Sequence, residues 1–184
     1  MAKKMFSNVC INWQRREILT IPNTDPKKPL GFVGLPGGKA KDGETPEIGG
    51  PRELFQETNQ DGKATKYIIE IPKTDHDGEY IHYFIATKII FERELKNHEE
   101  PSSIPQWVPF QEIISGRVKM FRSHIQGLIL LLEKMSEGKS VSGKTDRNGI
   151  PIISQGPPAL LEIFNELKDI FDEKRRYVPF YRRS

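Results

Sequence analysis

The chain has 184 residues, 28 Lys plus Arg against 25 Asp plus Glu, a net charge of +3 and 36% hydrophobic residues. That length predicts one domain with a core of its own, and the balance of residue types excludes a membrane-embedded or wholly disordered chain. The charge suits small anionic substrates but is too weak to argue for nucleic acid, and the lone Cys10 excludes an internal disulfide or a Cys-rich zinc site.

The first residues, Met-Ala-Lys-Lys-Met-Phe-Ser-Asn, carry no long apolar segment, so no signal peptide is expected. The longest apolar run, residues 128–132, is far too short to span a bilayer, and a cytoplasmic protein is expected. Residues 5–13 and 16–21 read as two strands joined at Gln14-Arg15, residues 23–29 as a polar loop, and residues 31–35 as a further short strand. Thr45-Pro46-Glu47 is a helix start, with a Thr cap, Pro at the first helical position and an early acid. Gly49-Gly50-Pro51 opposes it. An unbroken helix there would cost roughly 4–5 kcal/mol on propensity, so a kink at the glycines and a restart at Pro51 is predicted.

Strands follow at 67–71 and 80–90, with Asp77-Gly78 as a hairpin turn between them. Residues 92–105 are acidic and Pro/Ser-rich, hence a loop, and Trp107-Val108-Pro109-Phe110 leads into a short helix at 111–115. Residues 121–135 form a helix whose buried stripe is Ile125, Leu128, Ile129, Leu132 and Met135. These elements place the main domain at residues 1–136. Residues 137–158, rich in Gly, Ser and Lys, read as a flexible loop or linker. Leu160, Ile163, Phe164, Leu167, Ile170 and Phe171 predict an amphipathic helix within residues 159–184, packed on the same domain or on a partner such as a second copy. The basic, aromatic end at 175–184 reads as a solvated tail or docked terminus, with a phosphate or nucleic-acid contact the lesser alternative.

The chemistry sits in residues 37–60. Gly37-Gly38 is followed by Glu44, then Arg52-Glu53-Leu54, then Glu57. Glu53 and Glu57 are four residues apart, so a helix presents both on one face. Paired carboxylates beside a glycine turn suit a hard cation such as Mg²⁺, which takes one or two carboxylates plus water and substrate phosphates. Standing alone, the same pair could be solvated acids with Arg52 as a weak ionic neighbour.

With Leu35-Pro36 in front, this segment resembles the Nudix box: Gly, five residues, Glu, seven residues, Arg-Glu-aliphatic, any residue, Glu-Glu, any residue, Gly, aliphatic. Three positions depart from it. Gln56 stands for the first of the paired glutamates, Asn59 for the closing glycine and Gln60 for the last aliphatic residue. Asn59 is the mildest change, since Asn follows Gly as a left-handed helix end. Gln56 brings no negative charge and should weaken binding of a second or third cation. Gln60 is expected to lose an aliphatic contact and little else.

The resemblance implies an α/β fold, a Nudix-like α/β/α sandwich with a mixed β-sheet, here with an extra C-terminal helix. It implies Mg²⁺-dependent hydrolysis, with Mn²⁺ as a substitute, of a diphosphate linkage in a nucleoside-diphosphate-linked substrate. Nucleoside triphosphates, ADP-ribose, dinucleoside polyphosphates and nucleotide sugars all stay open. Metal ligation falls on Glu53 and Glu57, with the Gly38 carbonyl and Gln56 as further candidates. Glu44 would act through water or hold a second ion, and Arg52 would orient Glu53. The family often adds a carboxylate from the loop before the Trp-Val-Pro segment, here Glu99 or Glu100, as general base or ligand.

Lys39 and Lys41 flank the turn and are candidates for phosphate contact. Phe32, Tyr80, Tyr83 and Trp107 are candidates for base stacking, though most are expected in the core. His76, His82, His98 and His124 have no metal spacing and read as structural or exposed. Ser142-Gly143-Lys144-Thr145 lacks the first glycine and the preceding strand of a phosphate loop. Substrate choice is expected from loops at 22–30, 72–80 and 92–106. The alternative is a catalytically degenerate Nudix-fold module that binds nucleotide or regulates, for which Gln56 and Gly49-Gly50-Pro51 speak.

Overall fold

The computed structural model describes residues 3–26, 29–75, 78–137 and 162–169. Strands β1 (Lys3–Val9), β2 (Ile11–Asn12), β3 (Glu17–Pro22) and β4 (Phe32–Gly34) precede helix α1 (Pro46–Thr58). Then come β5 (Asp61–Asp75), β6 (Gly78–Phe91), β7 (Gln106–Pro109), α2 (Phe110–Ile114), β8 (Lys119–Met120) and α3 (Arg122–Glu137). Residues 162–169 form a further helix, α4. The linker, the Ser142–Thr145 segment, His76 and the basic tail lie outside the described residues.

One sheet has the order β1-β6-β5, with β1 parallel to β6 and β5 antiparallel to it. The other has the order β2-β3-β4-β8, with β7 paired on β3 and β4 parallel to β8. Successive residues of a strand face opposite ways, and β6 uses this to seat a helix on each face. A Cβ on Gly127 of α3 would meet the Phe84 ring, while one on Gly50 of α1 would meet Ile85. The two helices therefore cover opposite faces of the first sheet, which gives the α/β/α sandwich with mixed sheets. Phe84, Leu128, Leu131 and Leu132 are fully buried in the main core, and Ile163 and Leu167 of α4 join them.

Two expectations about elements are corrected. Helix α1 runs through Gly49-Gly50-Pro51 without a break. A Cβ on Gly49 would lie 2.1 Å from the Phe6 ring, and one on Gly50 2.6 Å from Ile85 Cδ1. The glycines let the helix lie close against β1 and β6, and that packing outweighs their poor propensity. Hydrogen bonds help hold it there, because Asn8 Nδ2 donates to the Gly50 carbonyl at 2.9 Å. The strand expected at 67–71 spans Asp61–Asp75 and pairs with β6 along its length, through two register shifts. Much of the presumed loop at 72–80 is thus strand, and only 76–77 lie between the paired ends Asp75 and Gly78.

Candidate active site at the turn before helix α1

The site is built where the 35–38 turn passes the face of α1. The turn is strapped to β1: Asn8 N–H donates to the Pro36 carbonyl at 2.7 Å and Phe6 N–H to the Gly38 carbonyl at 2.9 Å. Gly37 admits no side chain, since a Cβ there would lie 1.9 Å from the Phe6 carbonyl oxygen. A buried network continues the strap. Asn8 Nδ2 reaches the Pro36 carbonyl at 3.3 Å, and Thr87 Oγ1 donates to Asn8 Oδ1 at 2.9 Å. Asn59 closes the helix in the left-handed conformation, φ 60°.

Glu53 and Glu57 share the face of α1 turned to this strap. Glu57 Oε2 accepts from Gly37 N–H at 2.6 Å. The Glu53 carboxylate lies against Gly38, where a Cβ would come within 2.4 Å of it. Arg52 is the hub beside them. Its Nε and Nη2 donate to the two oxygens of Glu44 at 2.6 and 2.8 Å. Its Nη1 reaches Glu53 Oε1 at 2.7 Å and Gln56 Oε1 at 2.5 Å. Glu44 also accepts from Lys41 N–H at 2.8 Å, so its carboxylate is engaged by protein donors.

The electrostatics separate these acids. The Arg52 hydrogen bonds hold Glu44 down at a pKa of about 2 and raise that of Arg52. Burial raises Glu53, opposed by Arg52 and reinforced by Glu99 and Glu44. Glu57 is raised to about 7, chiefly by burial; the Gly37 bond opposes this, and the charges of Glu53, Glu99 and Glu100 add to it. Carboxylates raised by burial and by one another's charge would gain from a cation placed among them. Among the described residues no three His, Cys, Asp or Glu side chains form a ready cage for a metal. A Mg²⁺ ion needs no such cage, since one or two carboxylates, waters and substrate phosphates suffice. The donor set therefore fits a hard divalent cation.

Gln56 Oε1 is taken by Arg52, and its Nε2 donates to Glu99 Oε1 at 2.9 Å. Glu99 and Glu100 are exposed, and both of their N–H groups donate to Asn97 Oδ1. The Gly38 carbonyl already accepts from Phe6 and keeps one lone pair. Lys39 and Lys41 are exposed beside the turn. Phe32 stacks on Phe121 at 5.5 Å, Tyr83 tilts against Phe6 at 5.9 Å, and Tyr80 lies 6.3 Å from His82. Trp107 pairs opposite Leu19 under the Arg15 guanidinium. His82 is buried on Ser7 at 2.8 Å, and His124 Nδ1 accepts from Leu35 N–H at 2.8 Å.

Sequence reasoning missed Asn8, Asn97 and above all Gln60, which is fully buried and not a neutral loss. Its partner Arg93 is 33 residues away, a pairing no local pattern reveals. A cavity of about 680 Å³ is lined by Cys10, Trp13, Thr87, Trp107 and Met135 and by none of the box acids.

The description NUDIX domain matches residues 6–129, more than half of the chain. Sequence comparison with curated proteins gives no match. Among solved structures, a NUDIX hydrolase from Nitrosomonas europaea is similar at 14% identity and TM-score 0.56, covering 85% of this chain and 97% of that one. The NUDIX domain of Shewanella oneidensis NrtR, complexed with ADP ribose, is similar at 19% identity and TM-score 0.55, covering 73% and 88%. A bifunctional NMN adenylyltransferase/ADP ribose pyrophosphatase from Francisella tularensis, complexed with AMP and Mn, is similar at 20% identity and TM-score 0.55, covering 73% and 42%. At these identities the likeness to each solved structure is one of fold. The family match over residues 6–129, on a chain whose turn and helix carry the box in register, shows that this protein belongs to the Nudix family.

Proposed function

We propose that this Nudix-type pyrophosphohydrolase cleaves a diphosphate linkage in a nucleoside-diphosphate-linked substrate with the help of Mg²⁺. The observation that carries the reading is a pair on one face of α1: Glu53, buried against Gly38, and Glu57, half-buried and bonded to Gly37 N–H. Of the ligands in the similar proteins, ADP ribose contains such a linkage, and AMP with Mn is a nucleoside monophosphate of the kind its cleavage would release.

In this reading Glu53 and Glu57 hold the cation, assisted by the free lone pair of the Gly38 carbonyl. A bound Mg²⁺ would supply positive charge to offset the phosphate charge that develops as the linkage breaks. Arg52 fixes Glu53 in place and keeps Glu44 ionised, so Glu44 serves the hub rather than a second ion. Gln56, engaged by Arg52, is not a ligand. Glu99 or Glu100 takes the proton from the attacking water. Exposed Lys39 and Lys41 meet the phosphates. Among the described residues no helix is long and apolar enough to cross a membrane, and a cytoplasmic setting fits the nucleotide substrate.

The test is release of phosphate or nucleoside monophosphate from nucleoside triphosphates, ADP-ribose, diadenosine polyphosphates and nucleotide sugars, with and without Mg²⁺ or Mn²⁺. Metal-dependent turnover of one class is expected. Nucleotide binding that is indifferent to metal, with no turnover, would point to the degenerate binding module.

A further inference from the structure

We propose that the three residues departing from the box, Gln56, Asn59 and Gln60, form one amide clamp that holds segment 93–99 along the end of α1 and sets the Glu99 carboxylate at the edge of the helix face that carries Glu53 and Glu57. The inference rests on the proposed cation site.

Each of the three side chains is spent on that segment. Gln60 pairs with the Arg93 peptide in both senses: Arg93 N–H donates to Oε1 at 3.1 Å, and Nε2 donates to the Arg93 carbonyl at 2.8 Å. Asn59 Nδ2 donates to the Glu94 carbonyl at 3.0 Å, and its Oδ1 meets His98 Nε2 at 3.1 Å. Gln56 Nε2 donates to Glu99 Oε1 at 2.9 Å. The helix backbone follows suit, with His98 N–H on the Gln56 carbonyl at 2.8 Å and Lys96 N–H on the Thr58 carbonyl at 3.3 Å. Carbonyls that a helix end leaves without partners are thus satisfied by the loop. The His98 ring stacks on Phe55 at 5.5 Å.

Position 56 shows why an amide is needed. Arg52 only donates and a carboxylate only accepts, so the group between them must accept on one side and donate on the other. An amide does both, and this fixes its orientation. A glutamate would satisfy Arg52 but would face Glu99 with a second negative charge. Gln56 is therefore a positioning residue that acts through Glu99.

The test measures Mn²⁺ binding to the full chain by the electron paramagnetic resonance of free Mn²⁺, alongside hydrogen exchange of the Lys96 and His98 amides without metal. Gln56→Met and Glu99→Gln are each expected to weaken Mn²⁺ binding about tenfold. The double variant is expected to be no weaker than Glu99→Gln alone. Gln56→Glu is expected not to tighten binding, and Gln60→Met to speed exchange at both amides. Tighter binding in Gln56→Glu, wild-type binding in Gln56→Met, or unchanged exchange in Gln60→Met would overturn the clamp. Wild-type protein that binds no Mn²⁺ would instead overturn the cation site, and exchange would still decide whether the amides hold the segment.

Discussion

Glu57 on helix α1 accepts a 2.6 Å hydrogen bond from the backbone N–H of Gly37, tying the face of the helix that carries the box acids to the turn that precedes it. The bond uses one carboxylate oxygen and leaves the other for a ligand. In Glu57→Gln the amide oxygen can keep this bond while the charge is lost. Turnover is expected to fall by roughly 100-fold or more, with thermal unfolding little changed. Steady-state kinetics beside a melting curve separates the two effects.

The same residue is expected to make cation binding depend on pH. Burial lifts Glu57 from its ordinary 4.5 to about 7, so without metal the folded state holds this proton more tightly than the unfolded chain. Its contribution to stability is present below about 4.5 and is lost as pH rises through about 7. A cation must displace that proton, so its affinity should climb with pH and level off above about 7. The rise in melting temperature on adding Mg²⁺ should be larger at pH 8 than at pH 5.5. An equal or smaller rise at pH 8 would remove Glu57 from the ligands.

His82 titrates in the opposite sense. Burial, with Lys73 nearby, lowers its pKa from 6.5 to about 4. The stability it confers is complete above about 6.5 and is lost as pH falls toward about 4, on the order of 3 kcal/mol in all. His82→Gln can keep a bond to Ser7 and should flatten the pH dependence of urea unfolding over that window. An unaltered slope would show that another group governs it.

Gly49→Ala gives a sharp choice of sign. Helix propensity alone favours Ala by about 1 kcal/mol. The added Cβ would sit 2.1 Å from the ring of Phe6, which is fully buried and cannot swing away. A net loss of roughly 1–3 kcal/mol in equilibrium unfolding is expected, and a gain would mean that α1 stands further from β1.

These cases mark what could be read from the chain. Glu53, Glu57, Arg52 and the Asn59 cap were legible because helix spacing and end chemistry are local. The unbroken course of α1 was not, because Gly49 and Gly50 answer to Phe6 and Ile85, residues distant in sequence. The first part of β5 was missed because Asp61-Gly62-Lys63-Ala64-Thr65-Lys66 carries no apolar alternation, and only its pairing with β6 makes it a strand. Gln56 and Gln60 looked like losses from a pattern, since their partners Glu99 and Arg93 lie 43 and 33 residues downstream.

In the proposed reaction the site adds water across a diphosphate linkage, with Glu57 essential. The most direct measurement follows the best substrate of the panel in ¹⁸O-water with Mg²⁺, reading the products of wild type and Glu57→Gln by mass spectrometry. One ¹⁸O on a phosphoryl product of the wild type, and almost none from the variant, is the expected result. Label in equal amount from both proteins, or turnover by the wild type unaffected by removing Mg²⁺, would contradict the account.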